Sequence, residues 1–264
     1  MQLDTDKMIA RKEDGVGWII FNNPARRNAT SLEMWQATET ILDAFEHDPK
    51  IRVVIMRGAG DKSFVSGADI SQFEEKRADA DAAEAYAQAS EGAKRKMADL
   101  GKPLIAMIRG FCLGGGLGLA LKADLRIASD DSQFGIPAAR LGIAYGFDSL
   151  KALVAVVGPA FAKEILFTGR RLSADEALRI GLVNQVVPAA GLEAKVMEYA
   201  RSIAANAPLS ILSSKVTIDQ VLKDPGERDM ARIGELSRAC FDSQDYVEGR
   251  RAFMEKRKPV FAGR

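Results

Sequence analysis

The stretch that most constrains the fold of this chain is residues 102–128, KPLIAMIRGFCLGGGLGLALKADLRIA. It begins with a short apolar run, Leu104 to Ile108, which predicts a buried strand. Three consecutive glycines, residues 114–116, then lead into a run of helix formers. A strand, a glycine turn and a helix start leave unpaired backbone N–H groups at the positive end of a helix. Such groups can hold a developing negative charge.

These glycines have two other interpretations, of which the structural one stays open and the dinucleotide site fits poorly. The glycines also fit a purely structural role, in which they allow a helix and a strand to pack closely. A dinucleotide site fits poorly, because Gly114-x-Gly116-x-Gly118 departs from G-x-G-x-x-G. The chain also contains no G-x-x-x-x-G-K-[ST] motif.

Charge and composition limit the partners and the compartment. The 264 residues allow one large domain, or one domain with a smaller appendage. The net charge is +1, from 37 basic and 36 acidic residues, so we expect neither nucleic acid nor an anionic membrane as the main partner. The polar first 15 residues show no secretory signal, and no run approaches the ~18 apolar residues that cross a bilayer. Together with two cysteines, Cys112 and Cys240, read as buried reduced thiols, this predicts a cytoplasmic location.

The order of predicted elements is strands alternating with helices, followed by a helical end. Residues 8–11 and 16–21 predict a hairpin around Asp14-Gly15, and Ser31 is predicted to cap a helix that reaches Phe45. A strand at 52–56 precedes an Ala-, Glu- and Asp-rich helical stretch that ends near Leu100, interpreted as a solvated face. Helices dominate from Ser149 onward, where Ser173-x-x-Glu176 is a capping box.

The residue types exclude several kinds of catalysis. His47 is the only histidine and lies in a polar helix end, where a surface side chain is the expected role. Ser-His-Asp and Cys-His systems are therefore excluded, and so is a His/Cys zinc cluster. An enzyme with this sequence must use backbone donors, carboxylates, tyrosine or water.

A second glycine signal, SFVSGADI at residues 63–70, follows the strand at 53–56. Alone it also fits a surface turn closed by an Asp69 side-chain hydrogen bond. Together with Leu113–Gly116 it can supply two backbone N–H groups from separate loops. Two such donors that converge on one carbonyl oxygen are what an acyl-transfer or enolate site requires.

These two signals, with further motifs in the same order, resemble the crotonase (enoyl-CoA hydratase/isomerase) superfamily over nearly the whole chain. The other matching segments are Asn23-Pro24, Arg27-Asn28-Ala29, Ser132 to Pro137, Phe167 to Arg170, Gly181 to Asn184, Glu248-Gly249 and Lys256 to Pro259.

The resemblance implies an α/β fold with a β-β-α spiral core over residues 1–195 and a C-terminal helical trimerisation region over 196–264. It also implies a homotrimer or a dimer of trimers, and an acyl-CoA thioester as ligand. Coenzyme A would enter as part of the substrate, with no other cofactor and no metal. Ala68 and Gly115 would donate the two oxyanion-hole N–H groups. The substrate-binding positions carried over are Arg27, Ala29, Ser66, Ala68, Asp69, Ile70, Leu113, Gly114, Gly115, Gly118, Pro137, Ala138, Asp148, and, from a neighbouring subunit, Lys256 and Phe261.

The sequence departs from the family pattern at both hydratase glutamates. Gly118 and Ala138 stand where the resemblance places those carboxylates. Because adding water to a conjugated thioester needs an acid and a base, efficient ordinary hydration is not expected.

Two other residues are candidates for acid/base work. Tyr145 stands where methylmalonyl-CoA-type decarboxylases of the family carry a tyrosine, although the histidine that those enzymes have at the position of Ala68 is absent. Asp148 lies two residues beyond a family aspartate position, Gly146 here. The residues favour instead a buried tyrosine with a satisfied hydroxyl and an aspartate that caps a helix.

Three functional hypotheses follow. The first is an acyl-CoA enzyme that works through a thioester enolate, within which decarboxylation of a malonyl-type thioester needs no general base. The second is a non-catalytic acyl-CoA-binding scaffold. The third, the RNA binding of some family relatives, is disfavoured by the near-neutral charge.

Overall fold

Two β-sheets form the framework of the chain. The computed structural model describes residues 1–69 and 80–264, with side chains of the second range described from residue 84 onward. Ile70 and the first part of the predicted Ala-rich helical stretch lie outside these residues. The strands are β1 (Met8–Glu13), β2 (Val16–Phe21), β3 (Val53–Gly58), β4 (Ser63–Val65), β5 (Leu104–Ile108), β6 (Phe111–Leu113), β7 (Leu125–Ser129), β8 (Gln133–Gly135), β9 (Leu172–Ser173) and β10 (Gln185–Val187).

Nine described helices connect or follow these strands. They are α1 (Leu32–Glu46), α2 (Ala80–Asp99), α3 (Gly115–Ala120), α4 (Phe147–Thr168), α5 (Ala174–Arg179), α6 (Leu192–Ala204), α7 (Pro208–Val221), α8 (Met230–Phe241) and α9 (Gln244–Met254). A non-helical Gly158, followed by Pro159, breaks α4.

The larger sheet has six strands in the order β1-β2-β3-β5-β7-β10. β1 and β2 pair antiparallel around Asp14 and Gly15, both with positive φ, and the other pairs in this sheet are parallel. The smaller sheet has the order β4-β6-β8-β9, with β9 antiparallel to β8. The predicted hairpin and the β-β-α-β opening are confirmed.

Apolar side chains on both faces of the larger sheet are buried. Ile19 and Phe21 point to one core with α1, whereas Trp18 and Ile20 point to a second core with α6. This alternation at a period of two explains why the apolar run of β2 is continuous, as in parallel sheets covered on both sides.

The helix α2 differs from the predicted solvated face. Ala93 and Met97, four residues apart, are fully buried against the first core, while Lys96 forms an ion pair with Asp43 of α1 at 2.5 Å. Residues spaced by four lie on one side of a helix, so α2 is amphipathic.

Helices also make up the C-terminal part of the chain. The expected division after residue 195 falls within α6, which packs on the larger sheet, and that division stays a prediction. Large apolar side chains of the last three helices are exposed in the single chain: Ile218, Val221, Leu222, Met230, Phe241, Val247, Phe253 and Met254. None of the helices in the described ranges combines the length and apolar character needed to cross a lipid bilayer.

Candidate active site

Two loops leave the smaller sheet side by side. β4 and β6 are parallel neighbours, so their carboxyl ends lie at the same edge. Residues 66–69 follow β4, and Gly114 follows β6. The two loops that carry the predicted glycine signals therefore lie at the same edge of the smaller sheet.

The second loop turns directly into α3. Gly114 has φ 54° and ψ −121°, a backbone conformation open to glycine, and its N–H donates to the Gly135 carbonyl at 2.8 Å. A Cβ atom on Gly116 would lie 1.9 Å from the Val65 carbonyl oxygen, so only glycine lets α3 approach β4 this closely. The N–H of Gly115, the first residue of α3, donates to no other described residue.

The first loop is held by pairing with Thr30. The Thr30 N–H donates to the Gly67 carbonyl at 2.9 Å, and the Asp69 N–H donates to the Thr30 carbonyl at 3.1 Å. Ala68 lies between these two bonds, and within the described chain its own N–H has no acceptor. The Tyr86 hydroxyl of α2 lies 3.1 Å from the Thr30 hydroxyl oxygen and 3.4 Å from the Thr30 carbonyl oxygen.

The free amides of the two loops lie close together. The Cβ position of Gly115 is 3.7 Å from the Ala68 nitrogen, and the Cβ position of Gly67 is 3.7 Å from the Gly115 nitrogen. The structure thus brings Ala68 and Gly115 into one small site. The Gly115 amide also lies at the N-terminus of α3, the positive end of the helix dipole.

The Tyr145 hydroxyl lies at the same place. It is 3.7 Å from the Cβ position of Gly114, and the half-buried ring packs against the first core. Burial raises the pKa of the Tyr145 phenol above its ordinary value. No described residue forms a hydrogen bond with this hydroxyl. The alternative of a tyrosine with a satisfied hydroxyl therefore finds no protein partner among the described residues.

The two positions that lack carboxylates have different surroundings. A Cβ on Gly118 would meet no atom within 4 Å, so the space beside it is open. Ala138 is 7% exposed and belongs to the first core, in the short 3-10 helix Pro137–Arg140 that follows β8.

Asp148 is exposed in the first turn of α4, but the residue at the cap position is Gly146. The interpretation of Asp148 as a helix cap is therefore wrong. The cap lies at Gly146 because α4 begins at Phe147, two residues earlier than predicted.

Several other predicted residues lie beside this site. The Arg27 carbonyl accepts a hydrogen bond from the Ser66 N–H at 3.2 Å. Ala29 is buried next to Thr30, and the Leu113 carbonyl oxygen is 3.5 Å from the Cβ position of Gly67.

Lys256 is exposed two residues after α9, and Phe261 contacts segments other than these two loops. The Phe261 carbonyl accepts from the Arg52 side chain at 3.2 Å, and its ring lies against Gly249.

The residues that hold the first loop carry no functional signal in the sequence. Tyr86 is hidden in an Ala-rich helix, and Thr30 carries no signal of its own. The buried Asn28 is also part of this support: its side-chain amide donates to the carbonyls of Ala59 and Ser63 at 3.0 and 2.8 Å. Among the described residues no group of three or more His, Cys, Asp or Glu side chains is placed to hold a metal ion.

Comparison with known proteins assigns the chain to a family. The sequence profile described as enoyl-CoA hydratase/isomerase matches residues 11–264. The chain belongs to this family. It is 36% identical to a short-chain-enoyl-CoA hydratase of Clostridium acetobutylicum over 97% of both chains. It is 38% identical to a carnitinyl-CoA dehydratase of Citrobacter koseri over 89% of both chains.

A solved structure confirms the fold. A protein of Magnetospirillum magneticum described as an enoyl-CoA hydratase/carnithine racemase superposes with a TM-score of 0.93 at 38% identity, covering 99% of this chain and 97% of that one. The predicted crotonase-type α/β fold, with its helical C-terminal region, is therefore confirmed.

Proposed function

We propose that this family member acts on an acyl-CoA thioester through an enolate whose oxygen is held by the Ala68 and Gly115 amides. One observation carries the proposal: two backbone N–H groups from separate loops meet at one place, and neither has an acceptor among the residues that the structure describes. The names of the relatives, a hydratase and a dehydratase of CoA thioesters, support the substrate class.

The physical basis is that charge develops on the thioester oxygen during the reaction. When an enolate forms, this oxygen becomes more negative, so its hydrogen bonds to fixed N–H donors strengthen. Donors that favour the transition state over the ground state raise the rate. Loss of one such donor typically costs about 2.7–4 kcal/mol.

This site is less suited to ordinary hydration than the names of the chain's relatives suggest. Adding water across a double bond needs a group that takes a proton from water and one that delivers a proton to carbon. Gly118 and Ala138 provide neither. The proposal therefore excludes a two-carboxylate mechanism in this chain.

Decarboxylation of a malonyl-type thioester is the favoured reaction, because Tyr145 lies beside the amide pair. The bond between the α-carbon and the carboxylate breaks, CO₂ leaves, and its electron pair forms the enolate. The neutral Tyr145 phenol, or an ordered water, then protonates the α-carbon. A raised pKa keeps this phenol protonated at neutral pH, as a proton donor requires.

The proposal includes a homotrimer or a dimer of trimers. The exposed apolar side chains of α7, α8 and α9 support it, since large exposed apolar patches mark association surfaces. In such an assembly Lys256 and Phe261 of one subunit would complete the site of its neighbour.

Substrate turnover tests the proposal. The enzyme is incubated with methylmalonyl-CoA and with crotonyl-CoA, and both reactions are followed by absorbance and mass. We expect decarboxylation of methylmalonyl-CoA that falls roughly 10²-fold in Tyr145→Phe, because a positioned acid is lost. Tyr199→Phe, whose hydroxyl lies 3.4 Å from the Gln185 side chain, is the control.

Two results would contradict it. Rapid hydration of crotonyl-CoA that ignores Tyr145 would mean that another acid/base pair exists. Binding of both thioesters without any turnover would favour the non-catalytic scaffold.

A further inference from the structure

A cavity of about 240 Å³ lies at the carboxyl edge of the larger sheet. Arg57 of β3 and Met107 of β5 are opposite each other in this parallel pair, and both line the cavity. Arg109, which follows β5, and Leu192 and Glu193, the first residues of α6, line it as well. We call this space the Arg57–Arg109 cavity. Its volume is below the ~300–1,000 Å³ of pockets for drug-sized ligands, so an occupant must be small.

The Arg57–Arg109 cavity is separate from the candidate active site. None of the described residues that line it belongs to the two loops with the amide donors. Ser63 lines the cavity and begins β4, and Arg109 lies two residues before β6. Ala68 and Gly115 follow the other ends of these strands. The cavity therefore lies near the amino ends of the two strands whose carboxyl ends carry the amide donors.

The Arg109 guanidinium has donors that no described residue satisfies. Its Nε atom is buried from solvent and forms no hydrogen bond within the described part of the chain. The Asp131 Oδ2 atom lies 3.7 Å from this Nε, beyond hydrogen-bond distance. The other oxygen, Oδ1, accepts a hydrogen bond from the Ser129 hydroxyl, which holds the carboxylate in place. A buried donor without an acceptor is costly, so this group indicates a bound partner from outside the chain.

Arg57 brings a second guanidinium to the cavity. Its Nε donates to the Gly58 carbonyl at 3.2 Å, and its Nη1 donates to the Glu193 carboxylate at 3.0 Å. The Nη2 of Arg57 forms no hydrogen bond with a residue that the structure describes. The Glu193 side chain is 63% exposed, so water screens the ion pair and weakens it. Glu193 thus competes with an incoming anion for Arg57 without excluding it.

We propose that the Arg57–Arg109 cavity binds a small oxyanion, a phosphate or carboxylate group, between its two guanidinium groups. Each guanidinium presents N–H donors in a planar fork that matches the oxygens of such an anion. The buried side chains of Met107 and Leu192 form an apolar wall, beside which charge-assisted hydrogen bonds are stronger than in water. The carboxyl edge of parallel strands is also where open α/β sheets bind ligands. The inference does not depend on the proposed function, because neither amide donor takes part.

Anion-dependent stability tests this assignment. The midpoint of thermal unfolding is measured against increasing inorganic phosphate, acetate or chloride at constant ionic strength. A ligand that binds only the folded chain raises this midpoint, and the dependence on concentration gives its affinity.

Two substitutions are expected to change the phosphate affinity in opposite directions. Arg109→Gln should weaken binding about five- to tenfold, since hydrogen bonds between charged groups are lost. Glu193→Gln should tighten binding about two- to fivefold, because the carboxylate that competes for Arg57 becomes neutral. Arg179→Gln in α5 and Glu198→Gln in α6 remove the same charges elsewhere and should leave the affinity unchanged.

The two oxyanions distinguish the chemical sources of the ligand. If acetate gives the same order of affinities among the variants, a carboxylate is sufficient for binding. If only phosphate gives this order, the ligand is a phosphate or a phosphate ester. Both results support the assignment.

Other results overturn it. A phosphate affinity in Arg109→Gln within twofold of the wild type refutes the site, and so does Glu193→Gln binding no more tightly than the wild type. Stabilisation by chloride equal to that by phosphate shows a general effect of salt and refutes it too. If Arg109→Gln does not fold, Arg57→Gln provides the same test, with the same expected loss of affinity.

Discussion

The two loops that supply the candidate oxyanion donors are held by different forces. The loop at Gly115 is fixed by steric contact, because Gly116 lies against the Val65 carbonyl with no room for a Cβ. The loop at Ala68 is fixed by hydrogen bonds to Thr30, which Tyr86 supports from α2. Steric contact fails abruptly when one atom is added, whereas a hydrogen-bonded loop weakens in small steps. The expected effects of substitutions follow this difference.

The largest effect is expected for Gly116→Ala. The added methyl group would lie 1.9 Å from a backbone oxygen, so α3 must move away from β4. We expect the free energy of unfolding to fall by about 1–3 kcal/mol or more, as for overpacked cores, and turnover to be lost. Urea unfolding and methylmalonyl-CoA turnover measure both.

Gly118→Ala in the same helix is the matched control. Its methyl group enters open space, and alanine favours a helix over glycine, so stability should rise by about 0.5–1 kcal/mol. Equal stability of the two variants would show that close packing does not position this loop.

A smaller loss is expected for Gly115→Pro, in which turnover should fall about 10²–10³-fold with little change in folding. Proline is well tolerated at the first position of a helix, and it removes the N–H donor. In Gly115→Ala the donor remains, and the new Cβ lies at an ordinary contact distance of 3.7 Å from the Ala68 nitrogen. If the proline and alanine variants turn over substrate equally well, this amide is not a donor in the reaction.

The smallest effect is expected for Tyr86→Phe. The variant loses the hydroxyl that bonds to Thr30, a contribution of about 0.5–1.5 kcal/mol, so kcat should fall roughly two- to tenfold with KM unchanged. Steady-state kinetics with the same thioester measure this split. Tyr246→Phe in α9, where the ring packs on Phe241, is the control. Equal kcat values in the two variants would mean that Thr30 holds the loop without Tyr86.

Sequence signals predicted the elements that are stabilised by contacts between residues close in sequence. The capping box at Ser173 and Glu176 is present with both of its hydrogen bonds. Ser31 occupies the predicted cap position, but its hydroxyl donates to the Glu33 carboxylate at 3.2 Å and caps nothing. The Ser31 hydroxyl can accept from a backbone N–H of the first helical turn or donate to the Glu33 carboxylate, and only the three-dimensional geometry decides between them.

The supports of the site depend on contacts that no local pattern contains. Thr30 and Tyr86 are 56 residues apart in sequence, and Asn28 is 31 and 35 residues from the carbonyls of Ala59 and Ser63 that it binds. The backbone donors were predictable, since glycines after two apolar strands are visible in the sequence. The side chains that hold these donors became visible only with the strand order.

The open space beside Gly118 means that the packing of this helix and the identity of the side chain at this catalytic position are independent of each other. The helix there would accommodate a Cβ atom without moving, so the packing around α3 does not require glycine at this position. An acidic residue can then be lost or regained at this position while the two backbone N–H groups that hold the thioester oxygen stay in place. Overall likeness therefore indicates how these proteins hold a substrate more reliably than which bond they break.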